Sequence, residues 1–203
     1  MVKQAQGGFM TKFDIEKLFI KVRDEIVKKP VNKSLRHPRY LLSKYMVQQT
    51  SLIINPINSV NSGAIADVEK VDCVSFEENE PVEYEKYVMT VYDTRFNEED
   101  MTKIFYHEFA HIMFDEIYEK DSSKHSKEFQ DFGELLGQPR EVLASQLPIP
   151  KYIIFQSRYV VECRHCNKIW CTDVMDDFIK DIINYNRVCF CGHKDFKLTI
   201  RAE

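Results

Sequence analysis

The sequence predicts an α+β chain in two parts: helices packed on a small mixed sheet over residues 1–150, then a cysteine-bearing module over 151–203. Three observations point there. Two amphipathic helical stretches, a run of β-rich segments and two further helical stretches follow one another as far as about residue 136. Pro139, Pro148 and Pro150 then mark a linker. From Tyr152 the chain turns to strands and cysteines, and five of its six Cys lie between positions 163 and 191. A length of 203 residues suits one domain plus a small module, and a hydrophobic fraction of 44% supplies a core.

Residues 1–10 are expected to fray. Over 13–29, Phe13, Leu18, Ile20, Val22 and Ile26 are interleaved with charged residues, which predicts an amphipathic helix ended by Pro30. A second helix is expected over 39–50. Ser51 to Ile54 and Ile65 to Phe76 read as short strands, and Glu77, Glu78, Glu80, Glu83 and Glu85 as a solvated acidic loop around Pro81. Tyr87 to Tyr92 reads as a strand. Asn97 is an N-cap candidate, with Asp100 three residues on and Phe96 and Met101 at the positions of a hydrophobic staple. The helix it opens should run from Glu98 to about Lys120, and another from His125 to Leu136. Asp176 to Asn184 predicts a short helix inside the cysteine module.

The net charge of −4 conceals an asymmetry. Residues 1–50 hold 11 Lys and Arg against 4 Asp and Glu, whereas residues 51–150 hold 8 against 21. Within the basic part, Lys28, Lys29, Lys33, Arg36, Arg39 and Lys44 occur without an intervening acid, among His37, Tyr40 and Tyr45. Such a run can hold phosphates and stack on bases, so these six are candidate nucleic-acid contacts; a solvated basic face is the plainer reading. No apolar run is long enough to span a bilayer, and residues 1–8 lack a signal peptide's apolar stretch. A soluble, cytoplasmic protein is expected, with no membrane partner.

The chemistry centres on His107-Glu108-Phe109-Ala110-His111. On a helix, residues four apart lie on one face, so both imidazoles can grip one ion. Met101, Ile104, Phe105, Phe109 and Ile112 form an apolar arc with Glu108 in its middle. A carboxylate there costs several kcal/mol unless something compensates it. A zinc-bound water has a pKa near 7, and Glu108 is the candidate general base for it. This is the chemistry of a zinc peptidase.

Such a site needs three protein ligands. His125 is the candidate third, because a loop after His111 lets the next helix turn back across the first. The acids Asp115, Glu116, Glu119 and Glu128 are alternatives, as is Glu134. In the C-terminal module, Cys163-x-x-Cys166 and Cys189-x-Cys191, with twenty-two residues between the pairs, have a zinc-ribbon spacing that is slightly long. They predict a structural zinc on Cys163, Cys166, Cys189 and Cys191, with His193 able to replace one cysteine and Cys171 or His165 in reserve. Trp170 is expected in the module's core.

The stretch from His107 to His111, followed after a loop by His125-Ser126-Lys127-Glu128-Phe129, resembles the SprT-like metalloprotease family, which includes the Spartan proteases of DNA–protein crosslinks. In that family the third His opens an HGxxF-like turn. Ser126 stands here where Gly is common, and Phe129 matches the aromatic. Many members carry a zinc ribbon introduced by Tyr-x-Cys-x-x-Cys; this chain has Tyr159-Val160-Val161-Glu162-Cys163-Arg164-His165-Cys166, then Cys189-Phe190-Cys191-Gly192. The resemblance covers roughly residues 85–203. It implies a small zincin-like α+β protease, a strand beside the active helix that pairs with substrate backbone, zinc-dependent proteolysis of a protein substrate, and a setting in which DNA is scaffold or activator. Two other readings compete. One is an intracellular zinc protease acting on a single regulator without DNA. The other is a non-catalytic zinc-binding adaptor.

Overall fold

The computed structural model describes residues 10–29, 37–55, 65–77, 80–120, 122, 125–138, 149, 151–173, 175, 177–189 and 191–201. They form two compact α+β units, one up to residue 138 and one from residue 149. The linker prolines Pro139, Pro148 and Pro150, residues 1–9, and Lys33 and Arg36 of the basic run lie outside the described residues.

In the first unit, α1 (Lys12–Lys28) and α2 (Tyr40–Gln49) precede β1 (Ser51–Ile54), β2 (Ala66–Glu77) and β3 (Glu80–Val91); α3 (Glu98–Tyr118) and α4 (Lys127–Leu135) follow. Thr11 opens α1 through a capping box with Asp14. The sheet has the order β1-β3-β2, with β1 parallel and β2 antiparallel to β3. Asn97 caps α3 by accepting the Asp100 N–H at 2.9 Å. Phe96 and Met101, flanking that cap, are both buried.

Helix α3 is the centre of the unit. Met101, Ile104, Phe105, Phe109, Ile112, Met113 and Phe114 cover several of its faces and are all buried, as befits a helix enclosed by its neighbours. From α1, Phe19 packs on Phe105 and Phe109, with ring centroids 5.6 and 5.4 Å apart. Met89 and Val91 bring the sheet into the same core.

Two expectations are corrected in this unit. The acidic stretch around Pro81 is no loop: Glu77 ends β2, Glu80, Glu83 and Glu85 lie in the first half of β3, and Glu78 lies outside the described residues; the register runs from Ala66 opposite Val91 to Glu77 opposite Glu80. Pro81 is tolerated because, among the described residues, β1 pairs only with Val88 to Val91, which leaves β3 an edge strand at that point. His125, in turn, does not begin a helix. It sits two residues before α4 with φ 49°, its N–H bonded to the Ser122 carbonyl at 2.9 Å. Ser126 is the N-cap, accepting the Phe129 N–H at 3.2 Å.

The second unit contains α5 (Lys151–Gln156), β4 (Tyr159–Cys163), β5 (Ile169–Thr172), α6 (Asp177–Ile183) and β6 (Phe196–Ile200). Residues 151–156 are helical where strands were expected, since a short apolar run carries no decisive period. The antiparallel sheet has the order β5-β4-β6. Tyr159, Val161, Trp170, Phe178, Ile179 and Ile182 form its core together with Cys163 and Cys189. Among the described residues, no helix is long and apolar enough to cross a membrane.

Candidate metal centres

Helix α3 presents His107 and His111 one turn apart, and the turn before α4 brings His125 to meet them. His107 Nε2 lies 3.1 Å from His111 Nε2 and 2.9 Å from His125 Nε2. All three ligand atoms fall within 4.8 Å of one another. Four ligands about 2.05 Å from a tetrahedral zinc stand about 3.3 Å apart, so the spacing fits one small dication. The donor chemistry agrees. A single Nε2–H can serve one neighbour, and three ring nitrogens converging on one point are satisfied together by a Lewis acid. The acids weighed as alternatives are engaged elsewhere. Asp115 accepts the Ser122 N–H, Glu116 meets Lys70 and Tyr87, Glu119 pairs with Arg39, and Glu128 pairs with Lys120. Glu134 is exposed on α4 and outside the triad.

His107, Glu108 and His111 are buried, at 7%, 7% and 8% exposure. Burial pushes the Glu108 carboxyl up to about 8, and the negative charge of Asp67 on β2 acts in the same direction. Without a neighbouring cation this carboxyl holds its proton at neutral pH. A dication beside it supplies the compensation that its place in the apolar arc demands.

Two supporting side chains were not assigned from sequence. Ser122 is buried, and its Oγ lies 2.7 Å from His111 Nδ1. For Nε2 of His111 to be a ligand, Nδ1 must carry the proton and donate it to this oxygen, which fixes both tautomer and ring plane. The Ser122 N–H is itself held by Asp115 Oδ1 at 3.0 Å. Phe129 is fully buried, stacked on His111 at 4.5 Å, with its ring 5.9 Å from His107 and 5.4 Å from His125. It matched a motif, but its work as the apolar wedge behind all three imidazoles shows only in three dimensions. Ser122 carried no signal at all, being one of two serines in a polar loop.

In the second unit, Cys163, Cys166, Cys189 and Cys191 bring their sulfurs within 4.8 Å of one another. Cys163 Sγ is 3.6 Å from Cys191 Sγ, and Cys166 Sγ is 3.6 Å from Cys189 Sγ. A disulfide would need about 2.05 Å, whereas sulfurs around one tetrahedral zinc stand about 3.8 Å apart. The Cys166 and His165 backbone N–H groups draw the Cys163 thiol down to about 6, while burial pushes the Cys189 thiol up to about 12, so the first thiolate of the cluster forms on Cys163. The short Cys189-x-Cys191 spacing works because Gly192, at φ 85°, closes the knuckle and returns its N–H to the Cys189 carbonyl. On the other knuckle Asn167, at φ 57°, does the same for Cys163. His193 and Cys171 stand outside the group: the His193 ring donates to the Cys191 carbonyl and stacks on His165.

The candidate nucleic-acid residues do not form a free row of cations. Lys29 donates to the Leu136 carbonyl, Lys44 to the carbonyls of Val27 and Lys29, and Arg39 pairs with Glu116 and Glu119. Lys28 is exposed and near Asp24.

No protein-family model, curated protein or solved structure matches the chain.

Proposed function

We propose that this chain is a zinc-dependent endopeptidase of SprT-like type, with a zincin-like catalytic unit and a zinc ribbon. The observation that carries the reading is the convergence of three imidazole nitrogens beside a buried carboxylate on the same helix. His107, His111 and His125 would hold the catalytic ion as neutral ligands. Zinc in such a site supplies an acidified water and a Lewis acid for the scissile carbonyl. Glu108 takes the proton of the attacking water as the C–O bond forms, and returns it to the amine nitrogen as the C–N bond breaks. Ser122 and Phe129 keep the imidazoles aimed. Strand β2 packs on α3 and, among the described residues, is an outer strand of its sheet, so its edge can take up an extended substrate backbone. The four-cysteine site would hold a structural zinc, stabilising a unit too small to rely on its own core.

Action on DNA-bound or DNA-crosslinked proteins belongs to this proposal through the resemblance, with the basic segment as its contact. Cleavage of one regulator without DNA is the reading left if DNA is not bound. The test compares wild-type protein with Glu108→Gln, both with measured zinc content, on an unstructured protein substrate and on a protein held on DNA. Zinc-bound wild type should cleave; the variant should keep its zinc and lose cleavage by a factor on the order of 10² to 10⁴, the usual worth of a general base. Zinc-loaded wild type that cleaves nothing would favour the adaptor reading.

A further inference from the structure

The β2–β3 hairpin outruns the helix it packs on. Lys70 Nζ is 3.1 Å from Glu116 near the end of α3, and the sheet is buried before that point, at Ala66, Met89 and Val91, and exposed beyond it, at Val74 and Phe76, so β2 and α3 run in the same sense. Beyond Lys70 the strand continues for seven residues, roughly 24 Å, while α3 ends two residues after Glu116, roughly 3 Å further on. The register is regular, so Tyr87, Met89 and Val91, buried against the core, share one face with Val74 and Phe76. That face emerges uncovered: Phe76 is 74% exposed and Val74 56%. Asp72, Glu83 and Glu85 stand on the same face around them.

We propose that this uncovered end of the sheet face docks a Lys/Arg-rich segment of the protein to be cleaved, placing the segment's continuation on the edge of β2 that leads to Glu108. The inference rests on the protease reading for the cleavage that docking prepares, but not for docking itself. The occupant is set by charge. Residues 71–86 contain six acids against one base, Lys86. A neutral apolar partner would strip water from Asp72 and Glu83 without replacing it, and a nucleic acid would be repelled. The stems of Lys and Arg can cover Val74 and Phe76 while their heads meet the carboxylates.

The probe is a fluorescent unstructured peptide with Lys/Arg-rich flanks, compared with one whose flanks are Ser. Binding is read by anisotropy on zinc-loaded Glu108→Gln protein, and cleavage on the wild type. The basic peptide should bind about tenfold more tightly at low salt and lose that advantage at high salt. Asp72→Asn combined with Phe76→Ser and Glu83→Gln should remove the preference for the basic peptide through KM. Asp72→Lys with Glu83→Lys should transfer the preference to an acidic-flanked peptide, a gain that misfolding cannot mimic. Equal binding of both peptides, a preference that survives the substitutions at Asp72, Phe76 and Glu83, or self-association in place of peptide binding would overturn the proposal. Binding that depends on these hairpin residues without cleavage of either peptide would uphold docking and sink the protease reading; cleavage without charge preference would do the reverse.

Discussion

Removing the Ser122 hydroxyl should loosen one metal site and leave the other alone. In Ser122→Ala the His111 Nδ1–H loses an acceptor 2.7 Å away, in a place where Ser122 is 2% and His111 8% exposed. Little water can enter to replace it. An orphaned buried donor costs about 1–3 kcal/mol. The ion-free protein escapes part of that cost by turning the ring, whereas the metal-bound protein, which must keep Nε2 on the ion, does not. The difference falls on affinity, and loss of such an outer partner typically weakens metal binding by 10- to 100-fold, or about 1.4–2.7 kcal/mol. The backbone should hold, because the Ser122 N–H stays bonded to Asp115. The assay is zinc competition against a chelator of known affinity, with the four-cysteine site of the same molecule as internal reference. Ser122→Thr, which keeps the oxygen, should recover most of the affinity. An unchanged affinity in Ser122→Ala, or equal weakening at both sites, would refute the reasoning.

Metal analysis of the wild type should give two zinc ions per chain, and His125→Gly should give one; in ion-free protein that substitution should change stability by less than about 1 kcal/mol, since relief of the left-handed backbone offsets the lost ring contacts. Glu116→Ala should cost about 2–3 kcal/mol in urea unfolding. It removes a buried carboxylate from Tyr87, Lys70 and Arg39 together, and a loss under 1 kcal/mol would mean the network is dispensable. For duplex DNA, the slope of log K against log salt from the basic segment should be no steeper than about −3. Of the six candidate cations Lys29, Arg39 and Lys44 are held within the unit, which leaves at most three for phosphates; a steeper slope would place the DNA surface elsewhere.

The helices at Lys12–Lys28 and Glu98–Tyr118 were legible because their apolar period agrees with an end signal, Pro30 after the first and Asn97 before the second. The three histidines and four cysteines were legible because metal chemistry demands those types at short spacings, and the structure brings both sets together. The long hairpin was not. Its second strand is written in glutamates around a proline, a composition that locally says loop, and only the cross-strand register from Ala66 to Glu77 overrides it. The basic run was misleading for the opposite reason. Lysines at 29 and 44 look solvated in sequence, yet their ammonium groups close backbone carbonyls left open where α1 ends and α4 ends.

The place where local preference and structure disagree most sharply is the third ligand. A non-glycine residue in the left-handed region carries a cost, and a turn of this shape favours glycine or asparagine. Histidine is held there at φ 49° by three things: its own N–H on the Ser122 carbonyl, the Ser126 cap that starts α4 one residue later, and the carbonyl of His125 accepting from the Gln130 side chain at 3.0 Å. Each contact positions backbone, not imidazole, and together they aim the ring at His107. Strain retained at one residue, with the surroundings arranged to enforce it, is what a chemical requirement imposes on a fold; a turn selected for stability alone would have discarded it. The same turn carries Ser122 to His111, so a single short segment sets the third ligand and steadies the second. The geometry of the three-histidine group is therefore a property of this turn as much as of the helix that supplies the other two histidines.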